Sequence, residues 1–387
     1  MKVLIVTDGA NITTGYGNIA YSFAKYLLRI GGFEVVFGSL QQYGGPVYVK
    51  VDSEYVPMYS VQGGQHAYFE RTLIETRPNL VIHIRDPIAL VNRLFPGAYR
   101  FKPLAEQYGA KVIHWVPLMG ELPSDVLSAL TEDSDFILTP TKWAYDLMLY
   151  GGVPSNRMAV LRWGADPEVF NENDSIDKGE ARQLLGLQAQ SYVVTTIGVH
   201  DRHHKAFPVL MKALAILLKT YDDIEFYLHS SYGAFDILHY AESLGLKGRI
   251  VMPRVYIKDW GWDVNTYRKI FAATDVYVTA SMAEGFNIPP VEAAFCGVPV
   301  VASDHPVHRE VLANVAIFTR TVNWVPDSQY FNYLTDPMDI VAAVIKVRNG
   351  WRPSSEVLSM YRERMSWKAI VDDFVSILKE HQEVIKL

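Results

Sequence analysis

Short apolar, β-branched runs alternate with helically spaced stretches along almost the whole chain, and this constrains the fold more than any other feature. In the first half the runs are "KVLIVTD", "FEVVFGS", "LVIHIRD", "KVIHWVPL", "FILTPT" and "MAVLRWG". A helix is predicted between the first two, from about Gly17 to Ile30. Near-continuous apolar strands separated by helices indicate parallel sheets covered on both faces. A second series begins at "YVVTTIG", with a helix near Pro208 to Thr220, and continues through "IEFYLHS", "RIVMPR", "DVYVTAS" and "VPVVAS". Between the series lies the polar stretch "PEVFNENDSIDKGEARQLLGLQAQ". At 387 residues the chain exceeds one ordinary core. The expectation is an α/β protein of two doubly wound, Rossmann-like domains. Residues 1–166 form the first, joined by a C-terminal helix over 366–387; residues 167–190 connect it to the second, 191–365. The final helix carries Ile370, Phe374, Ile377 and Leu378 at helical spacing.

The composition narrows the function classes. A net charge of -6 argues against nucleic acid as a partner, which calls for a basic face. Cys296 is the single cysteine, so no internal disulfide framework exists, and its small-residue setting suits a buried structural thiol. The start lacks a signal-like apolar region, and no run approaches the ~18 apolar residues of a membrane span. A cytoplasmic protein is expected, with room for peripheral contact with a membrane.

Ligands of doubly wound sheets sit beyond the carboxyl ends of the strands. The stretch "ASMAEGFNIPPVEAAFCGVPVVAS" begins at such an end and places Glu284 before a helix and Glu292 within it. Pro289 and Pro290 suit a helix's first turn. Gly285, Phe286, Asn287 and Ile288 then lie at an N-terminus whose N–H groups and dipole favour an anion. Carboxylates bind hydroxyls rather than phosphates. A ligand carrying both, such as a nucleotide sugar, satisfies the set. Dipole-favoured acids at an ordinary helix start are the competing reading.

The same stretch resembles the E-x7-E signature of the retaining glycosyltransferases of family 4, which have the GT-B fold of two domains facing a cleft. The resemblance implies that Glu284 contacts donor-sugar hydroxyls, that Glu292 holds the ribose, and that backbone at Phe286, Asn287 and Ile288 meets the diphosphate. "TTIGVHDRHHKAF" resembles the family's R-x4-K diphosphate clamp, with Lys205 matching its lysine. His200 stands where the family has arginine, and Arg202 is the candidate to supply that charge. The three histidines here also admit a transition-metal site or a solvated basic loop; no metal site is expected.

"TDGANITTGYGNIAYSF" formally matches a dinucleotide fingerprint, but its glycines come too late after the strand for a nicotinamide site. It resembles instead the family's glycine loop, which carries Gly15 and Gly17 over as donor-diphosphate and sugar contacts. His114 is the candidate first-domain histidine contacting the donor sugar, although strand alternation also allows it to face the core. Asp86 and Glu121 are candidate acceptor-side groups. "VLRWGADPEVF" resembles the family's hinge element, with Gly164, Asp166 and Phe170 as structural residues. The resemblance implies sugar transfer from a UDP- or GDP-sugar to a glycan, lipid, protein or small-molecule hydroxyl, with no cofactor. A non-catalytic sugar-nucleotide-binding or partner-binding domain, and a GT-B nucleotide-sugar epimerase, are the alternatives.

Overall fold

The structure, a computed structural model, describes all residues except 13, 43, 62–65, 91–99, 173–175, 200–202, 231–235, 254–263, 328–329 and 386–387. The chain divides into two compact units, Met1–Gly164 with Trp367–Leu387, and Ala165–Ser366.

The first unit contains strands β1 (Lys2–Thr7), β2 (Glu34–Ser39), β3 (Val47–Val51), β4 (Glu54–Ser60), β5 (Leu80–Ile84), β6 (Lys111–Trp115), β7 (Phe136–Thr139) and β8 (Met158–Val160). They form one sheet in the order β3-β4-β2-β1-β5-β6-β7-β8, parallel except for β3. The antiparallel β3–β4 hairpin turns at Asp52, whose φ is 53°. Alternate side chains divide between the two faces. Leu4, Val6, Val81 and Val112 join a core with Phe69 and Phe101. On the other face Trp115 packs edge-on against Phe23, at 5.2 Å, and against Trp367, at 6.3 Å. The final helix, Trp367–Glu380, thus belongs to the first unit, with Trp367, Ile370, Val371 and Phe374 buried.

The second unit builds a fully parallel six-stranded sheet from β9 (Tyr192–Ile197), β10 (Ile224–His229), β11 (Ile250–Val251), β12 (Val276–Thr279), β13 (Val300–Ser303) and β14 (Ala316–Thr319). Its order is β11-β10-β9-β12-β13-β14. A hairpin of β15 (Thr321–Asp327) and β16 (Tyr330–Thr335) follows. The polar stretch 167–190 contains a helix, Lys178–Leu185, which Asp177 caps by accepting from the Glu180 N–H. Arg182 and Lys178 both bind Asp275, at 2.6 Å, which ties this helix to the second sheet. The stretch therefore clusters with the second unit.

Among the parallel strands of each sheet the order reverses once: between β1 and β5, and between β9 and β12. Loops diverge at such points and leave a crevice at the carboxyl edge.

Candidate active site

Two strands of the second sheet meet at its reversal, and their following loops supply a cation and an anion. Gly198 directly follows β9, and a Cβ there would lie 3.2 Å from Cδ and Cε of Lys205. The missing side chain lets the lysine stem cross the strand end. Its Nζ donates to Glu284 Oε1 at 2.5 Å, from the loop after β12. Glu284 is only 6% exposed. Burial alone would raise its carboxyl; the Lys205 ammonium, with His204 and His308, overrides burial and holds it at about 2.

The helix that follows, Ile288–Phe295, is entered through Asn287 in the left-handed region, at φ 73°. That conformation is costly outside glycine, and Asn is among the residues that tolerate it best. Two partners hold the side chain: Asn287 Nδ2 donates to Thr279 Oγ1 at 3.3 Å and lies 3.0 Å from His308 Nε2. The far nitrogen of His308 is 3.1 Å from the Ser303 carbonyl. A carbonyl only accepts, so the Nδ1–H tautomer is set and Nε2 is left to accept from Asn287. Burial keeps His308 below its ordinary value, in the neutral form this requires. His305 caps the neighbouring helix by accepting from the Val307 N–H at 3.1 Å, and burial holds it neutral down to about 3.

Pro289 and Pro290 occupy the first turn and remove two N–H groups. The backbone at Gly285 to Ile288 therefore forms the anion-facing end. Phe286 is buried, at 1% exposure, so its ring belongs to the core. Glu292, one turn in, accepts from the Tyr267 hydroxyl at 2.9 Å. Burial pushes its carboxyl up to about 7, while the Tyr267 bond pulls it down. Tyr267 is wedged edge-on against Phe170, Phe271 and His229. The hairpin β15–β16 braces the site loop, Tyr333 N–H donating to the Met282 carbonyl at 2.8 Å.

Lys205, Glu284, Gly285, Phe286, Asn287, Ile288 and Glu292 thus come together around one helix entrance. His200 and Arg202 lie outside the described residues. In the first unit the glycine loop meets one further candidate, since Tyr16, between Gly15 and Gly17, is hydrogen-bonded to the Asp86 backbone. His114 is fully buried: Val112 and Val116, which share its strand face, lie in the core, and His114 follows them. Its Nδ1 is 2.9 Å from His83 Nδ1, and its Nε2 is 3.1 Å from Asp133 Oδ2. The expectation that it faces a donor sugar is therefore corrected to a core position. Gly17 is buried beside the loop after β1, where a Cβ would stand 2.1 Å from the Ile12 carbonyl oxygen. Its N–H is taken by the Thr14 hydroxyl at 3.0 Å. Gly15 has open space around it. Glu121 is exposed on the lining of a cavity of about 190 Å³ formed mainly by Leu118, Leu122, Leu127, Leu147 and Met148. Asp86 follows β5, and its Oδ1 accepts from the Ile88 N–H at 3.0 Å.

Sequence reasoning missed Tyr267, His305 and His308. The paired histidines in "SDHPVHREV", directly after a strand, were a legible signal. Tyr267 had none, since it reaches Glu292 only through tertiary packing.

Residues 191–346 match the glycosyl transferases group 1 family. The D-inositol 3-phosphate glycosyltransferase of Paenarthrobacter aurescens (strain TC1) is 31% identical over 173 residues, 43% of this chain and 39% of that protein. Its namesake from Rhodococcus jostii (strain RHA1) is 28% identical over 185 residues, 45% of this chain and 38% of that protein. The chain thus covers about two fifths of the length of these curated relatives. Among solved structures, HepE of Anabaena in complex with UDP and glucose superimposes with a TM-score of 0.73 at 15% identity, covering 98% of this chain and all of that one. Sucrose-phosphate synthase from Thermosynechococcus elongatus gives 0.73 at 13% identity, covering 98% of each chain. The fold is that of the GT-B glycosyltransferases. No helix among the described residues is long and apolar enough to cross a membrane.

Proposed function

We propose that this chain is a retaining, metal-independent glycosyltransferase that moves a sugar from a nucleoside diphosphate sugar to an acceptor hydroxyl. The observation that carries the reading is the Lys205–Glu284 contact, at 2.5 Å, beside the entrance of the helix Ile288–Phe295. It sets a cation, a hydroxyl-accepting carboxylate and a positive helix end around one point. Complexes of HepE with UDP and with UDP-glucose support a nucleotide-sugar donor.

In this reading the diphosphate lies against the backbone of Gly285 to Ile288, and Lys205 turns from Glu284 to the leaving phosphate. Glu284 then accepts from donor-sugar hydroxyls, and Glu292 accepts from the ribose. Positive groups fixed in advance stabilise the charge that develops on the departing diphosphate. The acceptor hydroxyl attacks from the same face and its proton passes to a leaving phosphate oxygen, so no side-chain nucleophile is required. His200 and Arg202 remain proposed partners of Lys205. His114, being buried, is assigned no contact with the donor.

The test is incubation with UDP-glucose and with GDP-mannose, with and without EDTA, following diphosphate release and the anomeric configuration of the product. Release that survives EDTA, with the α-anomer kept, supports the reading. Inversion, or an absolute metal requirement, contradicts it.

A further inference from the structure

Asn287, at the entrance of the helix Ile288–Phe295, carries one polar atom that the fold leaves unused. Both hydrogens of its Nδ2 point inward: one goes to Thr279 Oγ1 at the end of β12, at 3.3 Å, and the other to His308 Nε2, at 3.0 Å. The carbonyl oxygen Oδ1 takes no hydrogen bond among the described residues. Asn287 is only 8% exposed, yet this oxygen is not sealed from solvent. The amide cannot turn round, because His308 forbids it. His308 Nδ1 faces two acceptors at the end of β13: the Ser303 carbonyl, at 3.1 Å, and Ser303 Oγ, at 3.2 Å. That hydroxyl has spent its own proton on the Ser281 carbonyl, at 2.6 Å. Nδ1 therefore carries the ring proton, Nε2 offers only a lone pair, and Asn287 must meet it with an N–H. His308 is wholly buried in the helix Pro306–Leu312, so no solvent relieves the constraint. An inverted amide would set two lone pairs against each other.

We propose that Asn287 Oδ1 determines donor specificity by accepting from one hydroxyl of the donor sugar, and that His308 is the positioning residue that turns it outward. The inference rests on the glycosyltransferase reading above and adds the atom that reads the sugar. Sign divides the work between backbone and side chain. Backbone N–H groups at the helix entrance attract phosphate oxygens. A bare carbonyl oxygen repels them and accepts from O–H, so the Asn287 side chain matches the sugar and not the diphosphate. The residue's backbone, held at φ 73°, fixes where the oxygen stands. Glu284, three residues earlier, accepts as an anion; Asn287 adds a neutral acceptor on the same loop.

The experiment measures, by titration calorimetry, dissociation constants for UDP, UDP-glucose and UDP-glucose analogues each lacking one sugar hydroxyl, and for the matching GDP-mannose series. In the wild type, each hydroxyl that is read shows as an analogue that binds more weakly than its parent. The one read by Asn287 should cost about threefold to tenfold, the range of one neutral hydrogen bond. Asn287→Gly keeps the left-handed backbone and removes the oxygen, so this penalty should vanish while those set by Glu284 persist. His308→Leu should abolish the same penalty, and His308→Gln, whose amide can accept from Asn287, should keep it. Each penalty is a ratio to the parent sugar within one protein, so a general loss of stability or nucleotide affinity does not move it. If His308→Leu does not fold, Asn287→Gly and His308→Gln still decide the matter. No penalty in the wild type, or persistence of every penalty in folded Asn287→Gly, overturns the proposal. An Asn287-dependent penalty that survives in folded His308→Leu overturns the role of His308. If neither UDP nor GDP binds, it is the donor reading that falls, and this inference falls with it.

Discussion

Glu292 and Glu284 sit eight positions apart at nearly equal burial, yet their environments push them in opposite directions. Glu284 has a lysine within reach and stays ionised down to about 2. Glu292 has a neutral tyrosine and is pushed up to about 7. A ribose hydroxyl pair binds best to an ionised carboxylate. Affinity for a nucleoside diphosphate should therefore rise as pH climbs through about 7. Tyr267→Phe removes the bond that favours ionisation, so the midpoint of this rise should move upward; Glu292→Gln should flatten it. Titration calorimetry from pH 6 to pH 8, with each nucleotide's own protonation subtracted, checks both. Lys205 has the complementary role. Lys205→Met leaves Glu284 buried without its partner, a loss of about 3 kcal/mol by comparison with broken buried pairs. It should also lower the transfer rate by roughly a hundredfold or more through the lost phosphate contact. Denaturant titration and steady-state kinetics measure the two effects, and Lys205→Arg should restore the charge but fit poorly above Gly198.

At the scale of elements, the entrance of the helix Ile288–Phe295 is held in a strained conformation by a neighbouring strand and helix. Asn287 keeps its φ of 73° because Thr279 and His308 grip its amide. Asn287→Ala keeps the unfavourable backbone and loses both bonds, a cost of about 2 kcal/mol in stability. Nucleotide affinity should fall with it, while Asn287→Gly should regain most of the stability and less of the affinity. Much of this element was legible in sequence, because two prolines after an apolar strand fix where a helix begins. The β3–β4 hairpin was not read, although "VYVKVDSEYVPMYS" alternates around a short turn. A hairpin at a sheet edge interrupts the βα rhythm, and the reading followed the rhythm. His114 was legible by parity alone: it shares a strand face with Val112, and that face is core. What the sequence could not disclose is who reaches whom across the sheet, such as Tyr267 to Glu292 or Arg85 to Asp8, since these pairs depend on strand order.

At the scale of the whole molecule, four buried histidines among the described residues are kept neutral by their surroundings: His83, His229, His305 and His308 all lie below their ordinary value, with burial the leading cause in each. Unfolding frees them to take up protons near pH 6.5, so the unfolded state binds more protons below that value. Stability should therefore be full above about pH 6.5 and fall as pH drops towards 4. Glu292, raised instead, opposes this as a single group. Urea denaturation at pH 7 and pH 5 should find the lower stability at pH 5, and His305→Asn with His308→Gln should shrink the difference. The two sheets share one plan, a reversal of strand order with an ion pair across it, and the donor site assigned to the second is the central claim. The most direct test is the melting temperature of wild type and Glu292→Ala with UDP and GDP at a hundredfold excess over Kd. A ligand bound only by the folded chain adds about 2.7 kcal/mol under that condition. One nucleotide should stabilise the wild type and lose most of its effect in Glu292→Ala; no shift with either, or equal shifts in both proteins, would contradict the assignment.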